Sequence, residues 1–111
     1  MKFSLFTVTY SGLFHNGKAL TLEQQIHKAK ELGFDGLAIE AKRPIASPLD
    51  LSKADRERIK AVAVDEGVEL VAVESLSNFC GHLMEERENN LAMMRQNKYS
   101  PRHLKSIRIS L

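Results

Sequence analysis

A repeat of 33 residues constrains the fold of this chain more than any other feature. Three apolar runs typical of strands occupy Phe3–Thr9, Gly36–Glu40 and Glu69–Glu74, so their starts at 3, 36 and 69 are evenly spaced. Short, continuous apolar runs are typical of strands that are covered on both faces, as in a parallel sheet. The repeat therefore predicts three equivalent units, each beginning with a buried strand.

Helical patterns follow each strand, and we predict helices near 22–32, 52–66 and 84–96. The first two have N-terminal capping residues, Thr21 and Ser52, and each ends at a glycine, Gly33 and Gly67. Strands joined by helices of this length must run parallel, with right-handed crossovers. The predicted fold class is therefore α/β, with three βα units of a parallel (β/α)8 TIM barrel, whose eight units need roughly 250 residues.

The end of the chain departs from the repeat, so we divide it into a partial barrel over 1–97 and a basic tail over 98–111. Pro101 is predicted to stop the third helix. The alternation of Ile107, Ile109 and Leu111 with polar residues leaves two alternatives, a short half-buried strand or a frayed end. A truncated or frame-shifted reading frame would produce this pattern, and a genuine short protein is the alternative.

Composition bears on the compartment and on the partners. The single cysteine, Cys80, rules out an internal disulfide and suits a reducing cytoplasm. No apolar stretch approaches the roughly 20 residues that span a bilayer, so we expect a cytoplasmic chain without a membrane partner. The tail carries Lys98, Arg102, Lys105 and Arg108 without aromatic interleaving, which favours a solvated tail over a nucleic-acid partner.

Two segments resemble the xylose-isomerase-like sugar phosphate isomerases and epimerases. The third unit carries the more specific likeness, in Ala72–Phe79, Gly81–Leu83 and Glu86–Leu91, and the second lies in Leu32–Leu37 with Ile39 and Glu40. The resemblance implies a barrel that acts on a sugar or sugar phosphate with a divalent metal, Mn, Mg, Zn or Co. In that family two glutamates, an aspartate and a histidine from later strands hold the metal, and the glutamates move protons. No position of this chain matches them, so we expect no catalytic residue, metal ligand or cofactor within it.

Candidate substrate-binding residues follow the predicted strands, because residues just past the C-terminal ends of barrel strands line the active site. Their carboxylate, amide, hydroxyl and basic groups suit recognition of sugar hydroxyls. The candidates are Glu40, Arg43, Glu74, Ser75, Asn78 and His82.

Two of these assignments have alternatives. Glu40 and Glu74 could share a proton or a metal, or each could close its strand and pair with a neighbouring base such as Lys42 or Arg43. His82 is interpreted as a residue that lies at the edge of the substrate-binding site or caps a helix. In the related apurinic-site endonucleases, histidines of early strands bind metal, which keeps a ligand role open.

These observations predict part of a sugar or sugar phosphate isomerase/epimerase barrel that is inactive by itself. One alternative is a non-catalytic half-barrel that forms a homo-oligomer or completes a barrel with a partner chain. The other is part of an apurinic-site endonuclease-like barrel, which abasic-DNA binding would distinguish.

Overall fold

The computed structural model describes residues 1–13, 17–75, 80–103 and 108–110, and for 97–103 and 108–110 it describes the backbone alone. Within these ranges, four strands form one sheet in the order β1-β2-β3-β4, and every neighbouring pair is parallel. The strands are β1 (Ser4–Phe6), β2 (Gly36–Glu40), β3 (Glu69–Glu74) and β4 (Arg108–Ser110). The helices are α1 (Leu22–Glu31), α2 (Lys53–Glu66) and α3 (Met84–His103), with a short 3-10 helix at Thr7–Tyr10. The predicted parallel βα units are confirmed.

Local capping fixes the ends of the first two helices. The Thr21 hydroxyl accepts the backbone N–H of Gln24 at 3.3 Å, and the Gln24 carboxamide oxygen accepts that of Thr21 at 2.9 Å. Ser52 and Asp55 form the same reciprocal pair at the start of α2. Each pair satisfies N–H groups that the first turn of a helix leaves without intrahelical partners. Both caps therefore lie where the sequence predicts them.

The core lies between the sheet and the helices. In the register of the sheet, Leu37 lies opposite Leu5 on one side and Leu70 on the other. Opposite residues of a parallel pair point to the same face, so these leucines form one layer. That layer packs with buried residues of α1 and α2, which are Leu22, Ile26, Ala29, Ile59 and Ala63.

A register shift in β3 modifies the alternation of that strand. Leu37 pairs with Leu70 and Ala38 pairs with Ala72, so Val71 is the extra residue. An inserted residue of this kind is a β-bulge, which re-aims the side chains that follow it. Leu70 and Val73 consequently both belong to the core.

The structure of the chain's end contradicts the predicted effect of Pro101 and selects one of the two alternatives for the tail. The prediction that Pro101 stops the third helix is wrong, because α3 continues to His103. Pro101 has no N–H to donate to the carbonyl four residues earlier, so the last turn of α3 forms without that hydrogen bond. Of the two alternatives for the tail, a short strand or a frayed end, the structure contains the strand. This strand, β4, pairs in parallel with β3, with Ile109 opposite Val73.

The apolar side of α3 is exposed at its start. Met84 and Leu91, seven residues apart and so on the same side of α3, are both exposed, as is Leu83 just before the helix. In the described part of the chain, no helix has the length and apolar character needed to cross a membrane.

Candidate functional site

Two glutamates end neighbouring strands and define the centre of the candidate site. Glu40 is the last residue of β2, Glu74 is the last residue of β3, and the two are direct partners in the register. Both therefore lie at the C-terminal end of the sheet and point to the same face. Because Ile39 and Val73 belong to the helix-covered core, the glutamates that follow them point to the opposite face. We call these two residues the Glu40–Glu74 pair.

The two carboxyl groups of the pair have different surroundings. Glu40 is only 3% exposed, whereas Glu74 is half-buried. Burial raises the pKa of Glu40, because a carboxylate loses hydration when it leaves water; the nearby positive charge of Lys42 opposes that rise, and the negative charge of Glu74 adds to it. The pair therefore combines a carboxyl group that keeps its proton to higher pH than usual with a more solvated one.

Thr7 is a member of the site that the sequence did not predict. The Thr7 side chain is fully buried, and its hydroxyl oxygen accepts the backbone N–H of Glu40 at 2.9 Å. On the other side, the backbone N–H of Ala41 donates to the Glu74 carbonyl oxygen at 2.8 Å. Hydrogen bonds from the backbone of Glu40 and Ala41 thus hold the end of β2 toward the segment that follows β1 and toward β3.

Arg43 lies in the segment after β2 and is bound by an acid of that same segment. Its guanidinium donates two hydrogen bonds of 2.6 Å to the two carboxylate oxygens of Asp50. This contact lowers the pKa of Asp50. Arg43 therefore pairs with Asp50, and of the two bases considered as partners for Glu40, Lys42 is the one whose charge acts on it. Nothing in the sequence indicated that Asp50 would pair with Arg43, because this contact depends on how the segment between them folds back.

The other predicted residues are spread along the segment after β3. Ser75 follows β3 directly and is half-buried, while His82 is exposed in the turn before α3. Asn78 lies outside the described residues. Within the described ranges, no group of three or more His, Cys, Asp or Glu side chains is placed to hold a metal ion. The substrate-binding roles of the six candidates remain predictions.

A surface groove of about 500 Å³ lies away from the Glu40–Glu74 pair. Its lining includes Tyr10, Lys18, His27 and Lys28, which places it over α1 and the segment that precedes it. Lys28 is already paired with Glu31 at 2.9 Å, and His27 contacts Glu66 of α2 at 2.7 Å. These contacts already engage two polar side chains of the groove, so we place the candidate site at the strand ends.

The fold and the position of the pair define the chain as part of a parallel β/α barrel. The crystal structure of a D-psicose 3-epimerase, determined in the presence of D-fructose, matches with a TM-score of 0.68 and 21% sequence identity over 98% of this chain. The match covers 36% of the epimerase, so this chain spans about a third of that protein's length. No protein-family model matches the sequence, and no curated protein matches it either. At this identity the likeness establishes the fold.

The raised pKa of Glu40 predicts how stability depends on pH. The native state holds the Glu40 proton above the ordinary value of 4.5, so the free energy of unfolding falls as pH rises from that value through the native pKa. Glu40→Gln removes the ionisation, and at pH 7 we expect it to raise the free energy of unfolding, because the buried carboxylate is no longer formed in the native state. Below pH 4 the difference should vanish, because Glu40 is then protonated in both states.

Urea denaturation followed by circular dichroism at about pH 3 and at pH 7 measures this difference. Glu57→Gln is the matched control, since Glu57 is an exposed residue of α2. A Glu40→Gln variant that is less stable than the parent at pH 7 would contradict the prediction.

Proposed function

We propose that this chain forms part of the substrate-binding end of a barrel of the sugar or sugar phosphate isomerase/epimerase kind. By itself, the chain should not catalyse turnover of a sugar. The observation that carries the proposal is the Glu40–Glu74 pair, two adjacent carboxyl groups at the C-terminal end of a parallel sheet. In barrels of this type, that end binds the substrate. The likeness to a D-psicose 3-epimerase supports the same class of substrate.

The chemistry of the pair suits a polyol. A protonated carboxyl group both donates and accepts a hydrogen bond, and an ionised one accepts through two oxygens. The adjacent carboxyl groups of Glu40 and Glu74 can therefore engage neighbouring hydroxyls of a polyol. Ser75, Asn78 and His82 follow in the next segment, and we assign them supporting contacts to the same ligand.

Turnover would require more than this pair. Moving a proton between neighbouring carbons needs a base, an acid and a group that stabilises the developing negative charge. The resemblance implies that a divalent metal supplies the last of these in complete enzymes, on ligands from later strands. The described residues do not fit such a metal, because among them no third His, Cys, Asp or Glu side chain joins the two carboxylates of the pair. We therefore assign no step to a metal in this chain.

Ligand binding observed by NMR tests the proposal. Adding D-fructose, D-psicose or their phosphate esters to the 15N-labelled chain should shift backbone amides around Glu40 and Glu74. The shifts should weaken in Glu40→Gln and Glu74→Gln and persist in the Glu57→Gln control. Solvent exchange of the sugar's carbon-bound proton should stay at the rate of the buffer.

Two outcomes would contradict the proposal. If no sugar shifts these amides, or if the shifts lie at the groove over α1, the pair is not the binding site. Proton exchange above the buffer rate that disappears in Glu40→Gln would show that these units carry chemistry by themselves.

A further inference from the structure

At Glu40, the hydrogen bonds between backbone groups of β1 and β2 give way to a hydrogen bond from the backbone to a side chain. The strands pair through Ser4, Leu5 and Phe6, with Phe6 opposite Ala38. The chain then leaves the strand and enters the 3-10 helix at Thr7. At this point the backbone of β1 no longer follows β2, and the N–H of Glu40 donates to a side chain, the Thr7 hydroxyl, at 2.9 Å.

The Thr7 hydroxyl therefore replaces the backbone acceptor that a longer β1 would supply. Thr7 is fully buried, so water has little access to replace its hydroxyl if it is removed. The hydrogen bond spans 33 residues of sequence, which is one full repeat. It acts on the backbone of the residue whose carboxyl group lies in the candidate site.

We propose that Thr7 is a positioning residue, whose hydroxyl fixes the end of β2 and thereby holds the Glu40 carboxyl in its buried place beside Glu74. The importance of this position for a ligand rests on the proposed function, but the positioning itself does not. Thr7 does not need to touch the substrate, because its effect passes through the Glu40 backbone. A group that fixes a functional side chain in this way reduces the disorder that weakens a loosely held site.

A purely structural role for Thr7 predicts a different result. If the hydroxyl only stabilised the fold, its loss would lower the free energy of unfolding while Glu40 kept its surroundings and its titration. If Thr7 positions Glu40, its loss lets the end of β2 move, and the carboxyl gains solvent. Burial is the main cause of the raised pKa of Glu40, so that pKa should then fall toward 4.5.

The experiment compares three substitutions at Thr7 in the intact chain. Thr7→Val keeps the shape and removes the hydroxyl, Thr7→Ser keeps the hydroxyl, and Thr7→Cys substitutes a weaker acceptor. Thr9→Val is the matched control, because Thr9 is exposed in the same 3-10 helix. The readouts are the 13C titration of the Glu40 carboxyl, assigned with Glu40→Gln, and hydrogen exchange of the Glu40 amide.

We expect Thr7→Val to lower the pKa of Glu40 and to speed exchange of its amide about tenfold, the effect of losing one buried hydrogen bond. Thr7→Ser and Thr9→Val should leave both readouts unchanged, and Thr7→Cys should shift both by less than Thr7→Val. If Thr7→Val does not fold, Thr7→Cys decides the question by the same readouts.

An unchanged Glu40 titration in the folded valine or cysteine variant would overturn the proposal, as would a serine variant that behaves like valine. Neither readout requires a sugar. If the readouts shift as expected and no sugar binds, Thr7 remains the positioning residue and the proposed function fails.

Discussion

Leu37→Ala is expected to lower the free energy of unfolding by about 2–5 kcal/mol, the usual range for truncating a buried leucine. Leu37 is 0% exposed at the centre of the sheet, between Leu5 and Leu70. Alanine would leave a cavity that two strands and α1 border. Domains of this size have total stabilities of about 5–15 kcal/mol, so this single change should remove a large share.

Urea denaturation followed by circular dichroism measures the loss, and Leu49→Ala is the matched control. Leu49 is 62% exposed in the segment before α2, so the same truncation there should change stability by no more than about 0.5 kcal/mol. Similar losses for the two variants would show that the sheet and helices do not share the core described above.

The parts of the fold that the sequence predicted are those with local causes. The reciprocal contacts at Thr21 and Ser52 involve residues three positions apart, so the sequence contains both partners of each cap. The parallel direction of the strands was predicted from their spacing, because parallel neighbours need a connection of about a dozen residues or more, which a helix supplies. These features depend little on distant parts of the chain.

The errors arose where tertiary contacts override local preference. The first strand was predicted over Phe3–Thr9, but it ends at Phe6, although Thr, Val and Tyr all favour strands. The contact that accompanies this early end, from the Glu40 N–H to Thr7, spans 33 residues. The continuation of α3 through Pro101 was also not predicted, because local rules place a proline beyond the helix end.

In the candidate site too, residues placed by local patterns could be predicted from the sequence, whereas residues placed by distant contacts could not. Glu40 and Glu74 could be placed at one end of the sheet because each follows a predicted parallel strand. Thr7 could not be found, since its role depends on where β1 stops. Nor could the pairing of Arg43 with Asp50, which depends on the path of the segment between them.

Gly36→Ala is the second substitution with a large expected effect, and it tests the bulge that sets the register of the site. A Cβ at Gly36 would lie 2.6 Å from the Val71 Cγ1 atom and 2.8 Å from the Glu69 carbonyl oxygen. Both distances are far below van der Waals contact. The Glu69 oxygen belongs to the backbone of the adjacent strand, so relief requires β2 and β3 to shift apart.

Overpacking of this kind typically lowers the free energy of unfolding by about 1–3 kcal/mol. A double-mutant cycle with Val71→Ala identifies the contact responsible, because residues in direct contact show non-additive effects. With Val71 truncated, the Cγ1 contact is absent, so Gly36→Ala should cost less than in the parent. Urea denaturation of the four proteins in the cycle provides the comparison.

Equal losses in the two backgrounds would show that the Val71 side chain is not the obstacle, and would leave the Glu69 backbone as the cause. The outcome also bears on the site, since Gly36 and Glu40 are the two ends of β2 and pair with Glu69 and Glu74 across the same bulge. If the strands shift at Gly36, the distance between the paired carboxyl groups changes with them. Gly36→Ala should therefore alter the titration of Glu40 as well as stability.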